Sequence, residues 1–294
     1  MTLFDRTFGS NTRSIDCPKV VGDIRDPEAV REAVKGNDAV FHLAAVSRVA
    51  WGEQDPLTCW GTNASGSVNV LEACRKAEED RPVLFYASSR EVYGEPQHLP
   101  VRESHPKNPK SFYGVSKLGA EQACLAYSRG VGGGPPVRHV VLRFSNVYGS
   151  ERDLPERVIP KFMGKALRGE DILLFGGDQV LDFTFVDDTV DGIIKAYEAA
   201  SDDGAILGED FHFATGRGCS VSELAATIVR LTGSPSRIIQ GPAQSFDVRT
   251  FYADTHKCQE MLGYKAKTSL EDGLEVLRKK MIREEAPSLN RGTE

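Results

Sequence analysis

The 294-residue chain is long enough for one large domain or two closely joined ones, and its 40% hydrophobic and 27% charged residues are ordinary for a soluble globular protein. A net charge of −6 gives no footprint for nucleic acid, and no apolar run approaches the roughly 20 residues needed to span a bilayer. Met1 to Gly9 lacks a signal-peptide pattern, and six scattered cysteines without a C-x-x-C pair or zinc spacing suit a reducing, cytoplasmic setting better than a disulfide framework.

Along the first two thirds, short apolar runs alternate with helical patterns. Residues 20–23, 39–44, 83–88 and 137–144 read as buried strands, each rich in β-branched or aromatic residues and followed by turn signals. Between them, 27–35, 63–78 and 113–129 read as helices, the first with Asp26 as its cap before Pro27. Such alternation implies a parallel sheet covered on both faces, with ligands beyond the carboxyl ends of the strands. After Gly149 the rhythm changes. A helix at 160–168 precedes a strand at 172–175, a Gly-Gly-Asp turn at 176–178 and a strand at 183–186. Helices follow at 189–200, 220–232 (capped by Ser220 or Ser222) and 270–283. The glycine-rich stretch 130–136 reads as a surface loop, because no helix starts behind it, and the polar tail 286–294 as disordered.

The chemistry gathers where strands end. Tyr113 and Lys117 lie four apart at a helix start, in Tyr-Gly-Val-Ser-Lys, which puts phenol and ammonium on one face. A nearby cation favours the phenolate, so the phenol can act as a base near neutral pH. Upstream, strand 83–88 runs into Ser88-Ser89-Arg90-Glu91-Val92-Tyr93-Gly94, placing a hydroxyl at the end of a neighbouring strand. Downstream, strand 137–144 ends in Arg143-Phe144-Ser145-Asn146-Val147-Tyr148-Gly149, which supplies an amide at the same edge.

With these segments the chain resembles the extended short-chain dehydrogenase/reductase family, specifically its NAD-dependent nucleotide-sugar epimerases and dehydratases. Further segments match in order: Gly22 to Asp26, His42-Leu43-Ala44-Ala45, Asn63, Val158-Ile159-Pro160, Asp182-Phe183-Thr184, Val186-Asp187-Asp188, Ala253-Asp254 and Leu262-Gly263-Tyr264. The resemblance implies an α/β fold, a Rossmann-like doubly wound parallel sheet with a smaller C-terminal substrate-binding lobe. The NAD-binding domain would comprise 1–149 and 181–201, and the lobe 150–180 and 202–285. It further implies that Tyr113 is the catalytic base, that Lys117 holds the nicotinamide ribose and lowers the tyrosine pKa, and that Ser89 orients the sugar hydroxyl. Asp5, Asp23, Ile24, Leu43, Ala44, Ala45 and Asn63 would line the dinucleotide, Asp5 on the adenosine ribose hydroxyls. Asn146 and Arg249 would hold the diphosphate-nucleotide part of a UDP-sugar, and a homodimer would form through helices at 55–78 and 113–129.

The family opens with a strand, a glycine-rich turn and a helix that receives the pyrophosphate. No such glycine pattern precedes Asp5, so the chain is expected to lack a first strand–turn–helix piece of roughly 30 residues. Either an internal methionine has been taken as the start, or the chain is naturally short and a weak or cofactor-free relative; the reading from another class is a nucleotide-sugar-binding protein without turnover. Epimerisation at C4 is the reaction expected, with dehydration or decarboxylation as alternatives. The dehydratase subgroup carries an acidic pair after the serine or threonine, whereas here Arg90 stands before Glu91. Arg90 and Arg152 each offer a cation for a substrate carboxylate, or a bridge to the local acids Glu91 and Glu151. Leu181 stands where many relatives carry a diphosphate-binding arginine. His42 and His212 read as packed residues, the pair Asp187 and Asp188 as a helix cap rather than a metal site, and Trp51 and Trp60 as pocket-shaping or core residues.

Overall fold

Two compact units emerge in the computed structural model, which describes residues 1–9, 12, 15–77, 81–202, 204–241 and 248–285. The tail read as disordered from 286 lies outside the described residues.

Unit 1 comprises Met1–Glu95, Glu103–Phe144 and Ile194–Phe211. Its strands β1 (Leu3–Asp5) and β2 (Lys19–Val21) form a parallel pair with Leu3 opposite Lys19. A second sheet runs β3 (Ala39–His42), β4 (Val83–Ser89), β5 (His139–Phe144) and then β9 (Asp210–Phe213), with the first three parallel and β9 divided between the units at His212. Helix α1 (Pro27–Val34) starts behind Asp26, whose side chain accepts from Glu28 N and Ala29 N, the cap the sequence predicts. The sequence places β5 from residue 137, but the Val137 N–H bonds Tyr127 O at 3.0 Å instead of joining the ladder.

The helix expected from Asn63 begins earlier. Short helices α2 (Val49–Gln54) and α3 (Pro56–Trp60) lead through a π-helical turn, Gly61–Ser65, into α4 (Gly66–Lys76). Pro56 at a first helical position and Asp55 accepting from Thr58 N explain the start of α3. Helix α5 (Phe112–Ser128) packs on β4 and β5. With α4 these elements share a core of Leu71, Cys74, Leu84, Tyr86, Ala120, Cys124 and Val141. Each large apolar side chain buried there is worth about 1.5–3 kcal/mol.

Unit 2 comprises Pro96–Arg102, Ser145–Ile193 and the chain from His212 onward. Strand β6 (Asn146–Tyr148) pairs with β8 (Val180–Phe185), which also takes β10 (Gly218–Ser220) antiparallel. Strand β7 (Ile172–Phe175) pairs with β11 (Ile238–Gly241), burying Ile172 and Leu174 while Leu173 and Phe175 alternate outward. Helices α6 (Val158–Leu167), α8 (Val221–Thr232), α9 (His256–Leu262) and α10 (Leu270–Glu285) belong to this unit, and α7 (Val186–Asp202) is divided at Ile194. The short strands β6 and β10 escaped the sequence pattern because three residues carry too little alternation.

At the start of α8, Ser220 and Glu223 form a reciprocal capping box. Ser220→Ala is expected to lower stability by about 1 kcal/mol. A urea unfolding midpoint equal to that of the wild type would contradict that value.

Candidate active site

The first turn of α5 is seated against the end of β4 by several independent contacts. Ser111 caps the helix, its Oγ accepting from Gly114 N at 3.1 Å, while a Glu53 carboxylate oxygen accepts from Phe112 N at 2.6 Å. A Cβ on Gly114 would come 2.6 Å from Glu91 O, so this glycine permits the close approach of α5 to the turn that follows Ser89. Ser89 closes β4 opposite Phe144 and caps the 3₁₀ turn Arg90–Tyr93, its Oγ accepting from Glu91 N at 3.2 Å.

Lys117 is 3% exposed, and its Nζ donates to Ala87 O at 2.8 Å. The same Nζ lies 5.2 Å from the Tyr86 ring centroid and 6.0 Å from that of Tyr113, which is itself 8% exposed. Burial pulls the Lys117 ammonium down to about 8, opposed by Cys59 and Glu121. Helix α5 thus sets Lys117, with Tyr113 beside it, against the end of β4, two residues before Ser89.

Asn63 sits buried in the π-helical turn with its amide fully engaged. Its Oδ1 accepts from Val46 N at 2.8 Å, and its Nδ2 donates to Val46 O at 3.1 Å and Ser116 Oγ at 2.9 Å. It therefore ties the loop after β3 to α5. His42 pairs with Ser67 Oγ at 2.8 Å and is pushed down to about 3 by burial, which leaves it a neutral packed residue as expected.

The other residues assigned to the dinucleotide differ in availability. Leu43 is 57% exposed just past β3, with Ala44 also exposed and Ala45 half-buried. Ile24 is buried in the core, where Gly66 leaves room for its side chain. Asp23 forms an ion pair with Arg25 at 2.6 Å, which draws its carboxyl down to about 2. Asp5 is exposed at the end of β1, with one oxygen accepting from Thr7 N at 3.3 Å.

Both candidate arginines bridge local acids. Arg90 meets Glu91 at 2.9 Å and Arg152 meets Glu151 at 3.8 Å. In unit 2, Asn146 Nδ2 donates to Asp182 O at 3.3 Å, and the Arg249 carbonyl accepts from Val180 N at 2.8 Å. Leu181 pairs with Cys219 inside the ladder. Asp188 lies within the first turn of α7 rather than before it and accepts from Lys267 N and Thr268 N. His212 Nδ1 lies 3.4 Å from Asp254 O, and Trp60 covers Gly119 of α5.

Sequence reasoning missed a buried polar network one turn below Lys117. Glu121 receives Arg143 through both carboxylate oxygens and Ser88 through one. Its signal was present: Tyr113, Lys117 and Glu121 recur every four residues, the spacing of one helical face.

A model of the NAD-dependent epimerase/dehydratase family matches residues 2–210. A Methanocaldococcus jannaschii protein named as a candidate UDP-glucose 4-epimerase is 33% identical over 279 residues, which cover 92% of this chain and 87% of that relative. The structure of Thermotoga maritima UDP-glucose 4-epimerase with UDP-glucose is similar at a TM-score of 0.86 and 28% identity, over 96% of this chain and 91% of that one. MoeE5 in complex with UDP-glucuronic acid and NAD gives a TM-score of 0.86 and 30% identity, over 96% and 91% of the two chains.

Proposed function

The chain belongs to the NAD-dependent epimerase/dehydratase family, and we propose that within it the protein inverts C4 of a UDP-hexose or UDP-hexuronate through a 4-keto sugar. The observation that carries this reading is Lys117 at the end of β4, its Nζ 2.8 Å from Ala87 O and 6.0 Å from the Tyr113 ring centroid. The residues present suit NAD by their donor chemistry. An ammonium has three donors, and Lys117 commits one to Ala87, leaving others for ribose hydroxyls. Leu43 and Ala44 offer exposed apolar surface just past the neighbouring strand.

Bound NAD supplies the hydride acceptor and donor for C4. Tyr113 takes the proton from the C4 hydroxyl, and Ser89 orients that hydroxyl by hydrogen bonding. The buried Lys117 ammonium favours the phenolate and holds the ribose. After the keto sugar turns over, Tyr113 returns the proton to the oxygen on the opposite face. The Arg90–Glu91 ion pair favours epimerisation over dehydration, because it occupies the carboxylate that would act as the acid expelling water. In unit 2, Asn146, Arg152 and Arg249 are assigned to the nucleotide diphosphate and sugar. A cytoplasmic homodimer is part of the same proposal. Leu57 and Trp60 of α3 and Val115 and Leu125 of α5 remain exposed and supply apolar surface for it.

The test is incubation with NAD and either UDP-glucose or UDP-glucuronate, with products separated by chromatography. A C4 epimer supports the proposal, and its absence from both reactions with folded protein overturns it. The pH profile follows from Lys117. Its ammonium is present below about 8, so kcat/KM is expected to fall as pH rises through that value. An alkaline limb that stays flat to about pH 10 would contradict a required ammonium.

A further inference from the structure

Three consecutive residues at the end of β4 have three different roles. Ala87 O accepts from Lys117 Nζ at 2.8 Å, Ser88 Oγ donates to Glu121 Oε1 at 2.5 Å, and Ser89 closes the strand at the active site. Adjacent side chains on a strand point to opposite faces, so anchoring Ser88 fixes the pitch at which Ser89 is presented. Glu121 in turn lies one turn past Lys117 on α5.

The anchor is itself held. Glu121 Oε1 accepts from Arg143 Nε at 2.8 Å and Oε2 from Arg143 Nη2 at 2.9 Å, with Arg143 2% and Glu121 5% exposed. The remaining Arg143 donors reach Tyr93 OH at 2.7 Å, Glu103 O at 3.3 Å and the Asp210 carboxylate. All the N–H donors of the guanidinium are thereby used. One buried fork therefore joins β4, β5, α5 and the 3₁₀ turn after Ser89.

We propose that Glu121, clamped by Arg143 and Ser88, is the positioning residue that sets Lys117 and Ser89 against each other for the reaction, a role that rests on the epimerase reading. A purely structural ion pair would be replaceable, since buried pairs contribute little net stability compared with well-packed apolar groups. Glu121 does more because of where its charge lies. The titratable groups around Lys117 are Tyr113 and Glu121 on α5, Cys59 on α3, Tyr86 on β4 and His42 on β3. Burial pushes the Tyr86 phenol up and His42 down, so these two are neutral at neutral pH and do not support the Lys117 charge. Glu121, together with Cys59, opposes the pull of burial on the Lys117 ammonium.

Two variants separate placement from charge. Glu121→Gln keeps an acceptor and removes the charge, whereas Ser88→Ala cuts the link to β4 and keeps the charge. Each is assayed for kcat and KM, and the Lys117 side chain is titrated in the NAD-loaded protein by its ¹³Cε chemical shift, assigned with Lys117→Arg. Glu121→Gln is expected to lower kcat about 10–100-fold with a modest change in KM, and to move the Lys117 midpoint to lower pH. Ser88→Ala is expected to lower kcat and leave the midpoint in place. An unmoved midpoint in Glu121→Gln, or wild-type kcat in both variants, overturns the proposal. Should Glu121→Gln fail to fold, the kcat of Ser88→Ala decides. If the wild type turns over no nucleotide-sugar, the epimerase reading fails, and the Lys117 midpoint alone decides whether Glu121 controls that lysine.

Discussion

Replacing Tyr113 with phenylalanine is expected to lower kcat by about 10²–10⁴-fold, the usual contribution of a positioned proton-transfer group. The substitution removes one oxygen and leaves the ring, which stays packed at the start of α5. KM for the nucleotide-sugar and the amount of NAD released on denaturation are therefore expected to stay near the wild-type values, because binding rests on other groups. The neighbouring contacts predict the same separation. Lys117 bonds Ala87 O, a contact that remains when the hydroxyl is gone. Steady-state kinetics with quantified NAD distinguishes the outcomes. A kcat within about tenfold of the wild type would remove Tyr113 from the proton-transfer step.

Arg143→Met carries the largest expected loss of stability, about 3–5 kcal/mol at neutral pH. The guanidinium joins two carboxylates, Glu121 at 5% and Asp210 at 27% side-chain exposure. Methionine fills much of the volume but leaves the buried Glu121 without its cation and Tyr93 OH without its donor. Chemical denaturation at neutral pH measures the loss. A loss below about 1 kcal/mol at neutral pH would mean that the network is not the tie between α5 and the sheet that its hydrogen bonds describe.

Much of this was legible in the sequence because the signals were local. Tyr113 and Lys117 announce themselves by a four-residue spacing, and the strand ends at Ser88 and Phe144 by the change from β-branched runs to turn residues. The parallel order of β3, β4 and β5 follows from the helices between them. What was hidden depends on contacts between distant residues. Nothing near Arg143 in sequence tells that its partner is Glu121, 22 residues earlier. The amide of Asn63 is committed to Val46 and Ser116 rather than left open, which required the fold of the loop after β3. Arg90 and Arg152 looked equally able to meet a substrate carboxylate or a neighbouring acid, and geometry pairs both with the neighbour. The start of α3 before Asn63 was missed although Asp55 and Pro56 spell a helix start, because the π-helical turn breaks the apolar period between them and α4.

The most direct measurement follows the hydrogen on C4. With NAD and a UDP-sugar deuterated at C4, each turnover removes that deuterium and returns it to the opposite face, so the C4 epimer is predicted to retain the label in ordinary water. The Tyr113→Phe variant is predicted to form little of that product. An epimer carrying solvent hydrogen at C4, or no epimer from folded protein with NAD bound, would contradict the account.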